Sequence, residues 1–216
     1  MCEVKPLNVL LIGDSVRMFY QNEVIEQLGS DYKVFAPSEN CRFSSYVLNS
    51  LRFWLNEFPT PDIIHFNAGL WDTAILYQED GCFIGISEYV KNMKIILREL
   101  KKTGAKIIFA TTTPVSDEKE RLQGPMPPAH RNCDIIKYNN AILQAFQEEK
   151  IIINDLFSQM FSQKEDYLSE DMIHPNEEGI KLLGTLTANA IKNCGEYHNP
   201  KIKSGQAMKR EEKTIQ

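Results

Sequence analysis

The sequence lacks the usual features of secreted, membrane-spanning and nucleic-acid-binding proteins. Residues 1–6 do not show the basic, apolar and small-residue succession of a signal peptide. No apolar run is long enough to span a bilayer. The net charge of −5 provides no general basic surface for nucleic acid or anionic membranes. We therefore expect a cytoplasmic protein without a membrane span or a nucleic-acid partner.

The cysteines are few and isolated. An odd number of single cysteines, with no CxxC pair, favours neither a disulfide framework nor a zinc site. We expect reduced thiols, which agrees with a cytoplasmic location, and no metal or organic cofactor. The five are Cys2, Cys41, Cys82, Cys133 and Cys194.

What the chain does contain is an alternation of buried strands and amphipathic helices. Continuous apolar runs, such as "KIIFA", are typical of parallel strands covered on both faces. Apolar residues at helical spacing follow several of them, so an α/β fold of three layers with a central parallel sheet is predicted. The runs cover residues 8–12, 32–35, 62–66, 105–110 and 151–153, and the helical segments 88–100, 134–149 and 177–191.

The 216 residues, 43% hydrophobic and 25% charged, suit a single globular domain. We assign residues 1–195 to this domain, because the apolar pattern is lost from about residue 196. Residues 196–216 are predicted to form a polar, flexible tail or a segment that docks on a partner. The proline-rich connection 114–131 is either a flap over the site or a plain surface loop.

The pentapeptide "IGDSV" follows the first predicted strand. Gly, Asp and Ser all suit a turn. In a parallel sheet the functional crevice lies beyond the carboxyl ends of the strands, and Ser15 falls at that edge. A serine there is a candidate nucleophile, and the next helix is predicted to begin at Val16.

The pentapeptide "DMIHP" precedes the last predicted helix. Pro175 disfavours helical geometry at His174 and suits the first position of a helix. Asp171, three residues before His174, can bond the ring nitrogen that faces away from a substrate. Such a bond would orient the imidazole and stabilise its protonated form.

Together the two segments resemble the SGNH (GDSL-type) hydrolases, which have Gly-Asp-Ser after the first strand and Asp-x-x-His-Pro near the C-terminus. The resemblance covers residues 8 to about 193. It implies a flavodoxin-like sheet of five parallel strands. It also implies a catalytic triad with Ser15 as nucleophile, His174 as general base and Asp171 as its orienting acid.

The middle blocks depart from the family pattern. Where the family has Gly-x-Asn-Asp, this chain has "GLWD", so Gly69 and Asp72 match while Trp71 replaces the oxyanion asparagine. Losing one such donor typically costs about 3–4 kcal/mol of transition-state stabilisation. We therefore expect Asn40 and Asn67 to substitute for it, with turn capping as the alternative role of each.

Further oxyanion and substrate contacts are predicted on neighbouring loops. Gly69 is a further oxyanion candidate, and the main-chain N–H of Cys41 or Arg42 is expected to replace that of the family's second glycine. Candidate substrate contacts are Arg17, Arg42, Trp71 and His130; their alternative roles are solvated charge for the arginines and loop packing for Trp71.

These predictions point to a serine esterase that removes a small acyl group, such as acetyl, from a carbohydrate or similar metabolite. That substrate class is implied by the resemblance. A lysophospholipase or thioesterase is the alternative within enzymes, and it would need a long apolar trench. Trp71 in place of asparagine also leaves open a non-catalytic binding module on the same scaffold.

Overall fold

The chain folds around one five-stranded parallel sheet. A computed structural model describes residues 5–77, 81–116 and 129–198. The strand order is β2-β1-β3-β4-β5, and every neighbouring pair is parallel. This order is that of the flavodoxin-like folds, as predicted. The strands are β1 (Leu7–Ile12), β2 (Tyr32–Phe35), β3 (Ile63–Phe66), β4 (Lys106–Ala110) and β5 (Ile152–Asn154).

Helices cover both faces of the sheet and complete the three-layer sandwich. Among the described helices, α3 and α4 agree with the predicted segments to within three residues at each end. Helix α1 begins one residue before its predicted start, and α7 begins as predicted but ends seven residues later. Helices α2, α5 and α6 were not predicted, although Val47, Leu51 and Trp54 of α2 are buried at helical spacing. The helices are α1 (Ser15–Leu28), α2 (Ser44–Glu57), α3 (Ile86–Lys101), α4 (Asn132–Phe146), α5 (Leu156–Phe161), α6 (Lys164–Tyr167) and α7 (Glu177–His198).

Side chains of the central strands β1 and β4 alternate between two hydrophobic cores. In β1, Val9 and Leu11 pack in the core that includes α1, α5 and α7, whereas Leu10 and Ile12 pack in the core that includes α2 and α3. This alternation follows from the two-residue period of a strand. Because both faces are buried, the strands read as continuous apolar runs.

Two predicted segments fall largely beyond the described part of the chain. Residues 117–128 of the proline-rich connection and residues 199–216 of the tail lie outside the described residues, so both predictions stay predictions. Helix α7 runs to His198, three residues past the predicted end of the domain at 195. In the ranges that are described, no helix has both the length and the apolarity to cross a membrane.

Candidate active site

The two distant segments singled out in the sequence meet at the carboxyl edge of the sheet. Ser15 is the first residue of α1, three residues after the end of β1, and His174 lies just ahead of α7. The Ser15 hydroxyl lies 2.7 Å from His174 Nε2, although 159 positions separate the two residues. On the other side of the ring, His174 Nδ1 lies 2.5 Å from Asp171 Oδ2. A continuous line of hydrogen-bonding groups therefore runs from carboxylate to hydroxyl.

The segment that carries His174 is held by a tight local turn. Asp171 Oδ1 accepts hydrogen bonds from the amides of Ile173, at 2.9 Å, and His174, at 2.8 Å. Met172 has a φ of +66°, a left-handed conformation that non-glycine residues rarely adopt. The turn is closed by a bridge between Leu168 and Pro175. One carboxylate thus shapes the loop with one oxygen and orients the imidazole with the other.

The Asp171 carboxylate is strongly stabilised in its charged form. Partial burial raises its pKa, but the hydrogen bonds from the His174 side chain and the turn amides outweigh this and lower the pKa to about 2. The group therefore stays ionised at any pH where the protein would be assayed. An ionised partner accepts from Nδ1–H and so keeps the ring in the tautomer whose Nε2 can take the Ser15 proton.

The start of α1 presents a main-chain donor beside the nucleophile. Asp14 caps the helix, and its Oδ1 accepts the Val16 amide at 3.0 Å. The first four N–H groups of a helix have no partner inside the helix. The Ser15 amide therefore lies at the positive end of α1, where a negative oxygen is stabilised.

Asp14 is also a buried acid with an unsatisfied oxygen. It is 2% exposed, and burial raises its pKa to about 6. Its Oδ2 has no hydrogen-bond partner among the residues that the structure describes. It borders a cavity of about 10 Å³, lined also by Arg17, Tyr20 and Asn67. A space of this size is about that of one water molecule.

The loop after β2 brings Asn40 close to the nucleophile turn. The Cys41 amide donates to the Gly13 carbonyl at 3.3 Å, two residues before Ser15. The Arg42 amide donates to Asn40 Oδ1 at 2.8 Å. Both main-chain N–H groups expected as oxyanion donors, those of Cys41 and Arg42, are therefore already engaged. The Asn40 oxygen is used in the loop, which leaves its Nδ2 group as the donor that this residue offers.

Asn67 and Gly69 lie in the segment that follows β3. Asn67 Nδ2 donates to the Ala110 carbonyl at 2.7 Å and lies 3.4 Å from Thr112 Oγ1. The amide group thus ties the ends of β3 and β4 together, which differs from both the oxyanion role and the turn capping considered for this residue. Gly69 is buried with a φ of +152°, and a Cβ there would lie 2.2 Å from Thr112 Oγ1. Only glycine suits this position.

Asp72 braces the neighbouring loops. Its carboxylate accepts the Ser44 amide at 2.9 Å and also the Ser44 hydroxyl. Asn92 of α3 donates to the same hydroxyl at 3.2 Å. Burial raises the Asp72 pKa to about 6, against the hydrogen bonds from Ser44. The loops that follow β2 and β3 are therefore fixed to each other.

The two arginines predicted as substrate contacts have different surroundings. Arg17 is 2% exposed, and its guanidinium donates to the carbonyls of Gly13 and Glu39, at 3.3 and 2.8 Å, and to Gln21. These bonds hold the nucleophile turn against the loop after β2, a role that the sequence interpretation missed. Arg42 is exposed and lies over the Tyr46 ring at 5.2 Å, so it remains a candidate contact.

Trp71 and His130 lie on the loops around Asp72. Trp71 is partly exposed in the turn after Gly69, and its carbonyl accepts the Ala74 amide at 3.2 Å. His130 is half-buried and follows Ala129, whose carbonyl accepts the Ile75 amide at 2.8 Å. Their predicted contacts with a substrate stay predictions.

One neighbour of the triad was not found from the sequence. Phe19 stacks on His174, with ring centroids 4.8 Å apart and an angle of 24° between the planes. The signal in the sequence was its position four residues after Ser15, because residues i and i+4 lie on the same face of a helix. Across the residues that are described, no group of three or more His, Cys, Asp or Glu side chains suits a metal ion.

Neither a family model nor a curated protein matches this sequence. Solved structures do resemble it. A lipase/acylhydrolase from Enterococcus faecalis is 17% identical and has a TM-score of 0.70, over 87% of this chain and 96% of that one. A catalytic mutant of an acetylxylan esterase from Geobacillus stearothermophilus is 16% identical, with a TM-score of 0.69 over 88% and 96%. A GDSL-like lipase from Bacteroides thetaiotaomicron is 16% identical, with a TM-score of 0.66 over 88% and 92%. These likenesses establish the fold.

Proposed function

We propose that this chain, which has the SGNH hydrolase fold, is a serine esterase that works through an acyl-enzyme. The observation that carries the proposal is the hydrogen-bonded line of Asp171, His174 and Ser15, with distances of 2.5 and 2.7 Å. A nucleophile, a base within hydrogen-bond reach and a group that orients the base are the parts that acyl transfer needs. The ester-hydrolase descriptions of the similar structures support the same chemistry.

The first half-reaction is acylation of Ser15. Its Oγ attacks the ester carbonyl carbon while the hydroxyl proton moves to His174 Nε2, and a tetrahedral oxyanion forms. Collapse of this intermediate breaks the bond to the alcohol oxygen, which takes the proton from His174 and leaves. Asp171 stays ionised throughout, because its pKa is about 2, and it stabilises the protonated imidazole.

The second half-reaction returns the enzyme to its starting state. Water loses a proton to His174 as its oxygen attacks the acyl carbon, and the proton then passes to Ser15 Oγ as the acid leaves. The oxyanion of both steps would lie at the N-terminus of α1, with the Ser15 amide as one donor and the Asn40 amide group as the other. All protons balance without a metal or cofactor.

For the substrate we propose a small acyl ester, such as an acetyl group on a carbohydrate or similar metabolite. The support is that acetylxylan esterases are among the similar structures. Lipases are also among them, which favours a lysophospholipase or thioesterase as the second candidate. A series of p-nitrophenyl esters separates the two: kcat/KM that falls with chain length supports the small-acyl esterase, and kcat/KM that rises supports the lipid enzyme.

The proposal is tested by Ser15→Ala with Ser158→Ala, an exposed serine of α5, as the matched control. Wild type and the control should hydrolyse p-nitrophenyl acetate and be labelled by a fluorophosphonate probe. Ser15→Ala should not be labelled by the probe, and its turnover of p-nitrophenyl acetate should be reduced at least about 1,000-fold. Equal turnover in Ser15→Ala would refute the mechanism. A wild-type protein that is neither labelled nor active would instead favour the binding module.

The remaining expectations are part of the same proposal. We propose that residues 1–195 form one catalytic domain and that the protein works in the cytoplasm without a nucleic-acid partner. The free state of the described cysteines supports a reducing location: Cys41 and Cys194 are buried thiols, and Cys82 and Cys133 are also unpaired.

A further inference from the structure

Phe19 is placed where a helix surface normally carries a polar side chain. It lies on α1 one turn after Ser15 and is 45% exposed. Its ring stacks on the His174 imidazole, with the centroids 4.8 Å apart and the planes 24° from parallel. Phe19 belongs to neither hydrophobic core, and the stack on His174 is the ring contact that the structure shows for it.

The stack restrains the His174 ring in a way that the hydrogen bonds of the triad do not. His174 Nδ1–H donates to Asp171, and the Ser15 hydroxyl donates to Nε2, so both ring nitrogens are held at the edge of the ring. Such bonds fix the direction of the ring but constrain its tilt less strictly. Phe19 covers one face, which limits tilting and keeps water from that side of the bond between Ser15 and His174.

The contact also suits the positive charge that the imidazole acquires during the reaction. The face of an aromatic ring carries partial negative charge, so a cation near it is attracted. In the mechanism above, His174 becomes a cation when it takes the Ser15 proton. The interaction with Phe19 is therefore stronger in the transition state than in the ground state, which is the condition for accelerating a step.

We propose that Phe19 is a positioning residue that holds the His174 ring and stabilises its protonated form in both half-reactions. This inference rests on the proposed esterase function, and it adds a residue that acts through His174 rather than on the substrate. The rate of the reaction should then depend more on an aromatic ring at position 19 than on the volume of the side chain there. A substitution there should change kcat and the rate of serine modification, and should leave KM for a small ester nearly constant.

The test compares Phe19→Leu, Phe19→Trp and a control, Phe53→Leu. Phe53 is 57% exposed on α2, where its ring contacts the Arg52 guanidinium instead of the triad. The readouts are kcat and KM for p-nitrophenyl acetate and the rate of fluorophosphonate labelling of Ser15. A cation–π contact partly shielded from water predicts a loss of about 5- to 30-fold in Phe19→Leu, with Phe19→Trp near wild type and Phe53→Leu unchanged.

A second measurement does not depend on activity. Ring currents from Phe19 should shift the imidazole carbon-bound protons of His174 upfield in NMR spectra, and Phe19→Leu should remove this shift while circular dichroism shows an unchanged fold. Labelling at the wild-type rate in Phe19→Leu would overturn this inference alone. So would a rise in KM at constant kcat, since that outcome makes Phe19 a substrate contact. A wild-type protein that the probe does not label would overturn the esterase function, and this inference with it.

Discussion

Two asparagines near Ser15 direct their side-chain amides to different groups. Asn67 Nδ2 bonds the Ala110 carbonyl at the end of β4, which commits it to holding two strand ends together. Asn40 Oδ1 accepts the Arg42 amide, which leaves its Nδ2 group for the oxyanion. Residue type and spacing alone treat the two asparagines as equal. The hydrogen bonds distinguish them.

We therefore expect Asn40→Ala to lower the activity and Asn67→Ala to lower the stability of the protein. Removing one oxyanion donor should lower kcat for p-nitrophenyl acetate by about 100- to 1,000-fold in Asn40→Ala, with little change in stability. Asn67→Ala should lose about 1 kcal/mol of unfolding free energy and keep most of its turnover. Steady-state kinetics and urea unfolding of both variants provide the test, and the reverse pattern would assign the donor to Asn67.

At the scale of an element, the start of α1 places the proposed nucleophile beside a buried carboxylate that lowers stability when it is charged. The Asp14 carboxylate caps the helix through Val16 while it is almost fully buried, and burial raises its pKa from 3.8 to about 6. A raised pKa in the folded state means that its favourable contribution to stability is fully present below pH 3.8 and is lost as the pH rises through about 6. At neutral pH the cap therefore carries an unfavourable buried charge.

Asp14→Asn should keep the cap and remove this pH dependence, because asparagine is an equally good N-cap. Relative to wild type, the variant should gain unfolding free energy as the pH rises from about 4 through about 6, by up to about 3 kcal/mol. Urea unfolding of both proteins across this range measures the difference. Asp72 also has a raised pKa but is present in both proteins, so its main effect cancels. A difference that stays constant with pH would contradict the assignment.

At the scale of the whole molecule, a buried polar cluster joins the sheet to α7. His65 of β3 is fully buried, its Nε2 lies 3.1 Å from Asn154 Nδ2 of β5, and that amide lies 3.4 Å from the Thr187 hydroxyl of α7. Burial lowers the His65 pKa from 6.5 to about 4. A lowered pKa means that its contribution to stability is present above pH 6.5 and is lost as the pH falls through about 4.

We expect His65→Gln to make the protein less sensitive to acid. Wild type should lose about 3 kcal/mol of unfolding free energy through this group between about pH 6.5 and about pH 4, and the glutamine variant should lose none of it. The variant can be less stable than wild type at neutral pH, so the measured quantity is the pH dependence of the difference. If the unfolding free energies of the two proteins change with pH in parallel, His65 does not titrate in this way.

The layered fold was predictable because its signals are local. Strands buried on both faces leave continuous apolar runs, and helices that cover them leave apolar residues at a spacing of three or four. Short helices span too few positions for such a period to be recognised: α5 has six residues and α6 has four. Asp155 caps α5 through the Ser158 amide, but the contacts of α5 with α7 join parts of the chain that are distant in sequence.

By itself, the sequence determined which residue types follow the first strand and which precede the last helix, and hence that Ser15, Asp171 and His174 were the candidates for acyl transfer. Only the tertiary structure brought Ser15 and His174 to within 2.7 Å, engaged the amides of Cys41 and Arg42 elsewhere, and stacked Phe19 on the imidazole. The physical reason is that periodicity depends on neighbours along the chain, whereas the partner of a polar group depends on which loops pack beside it.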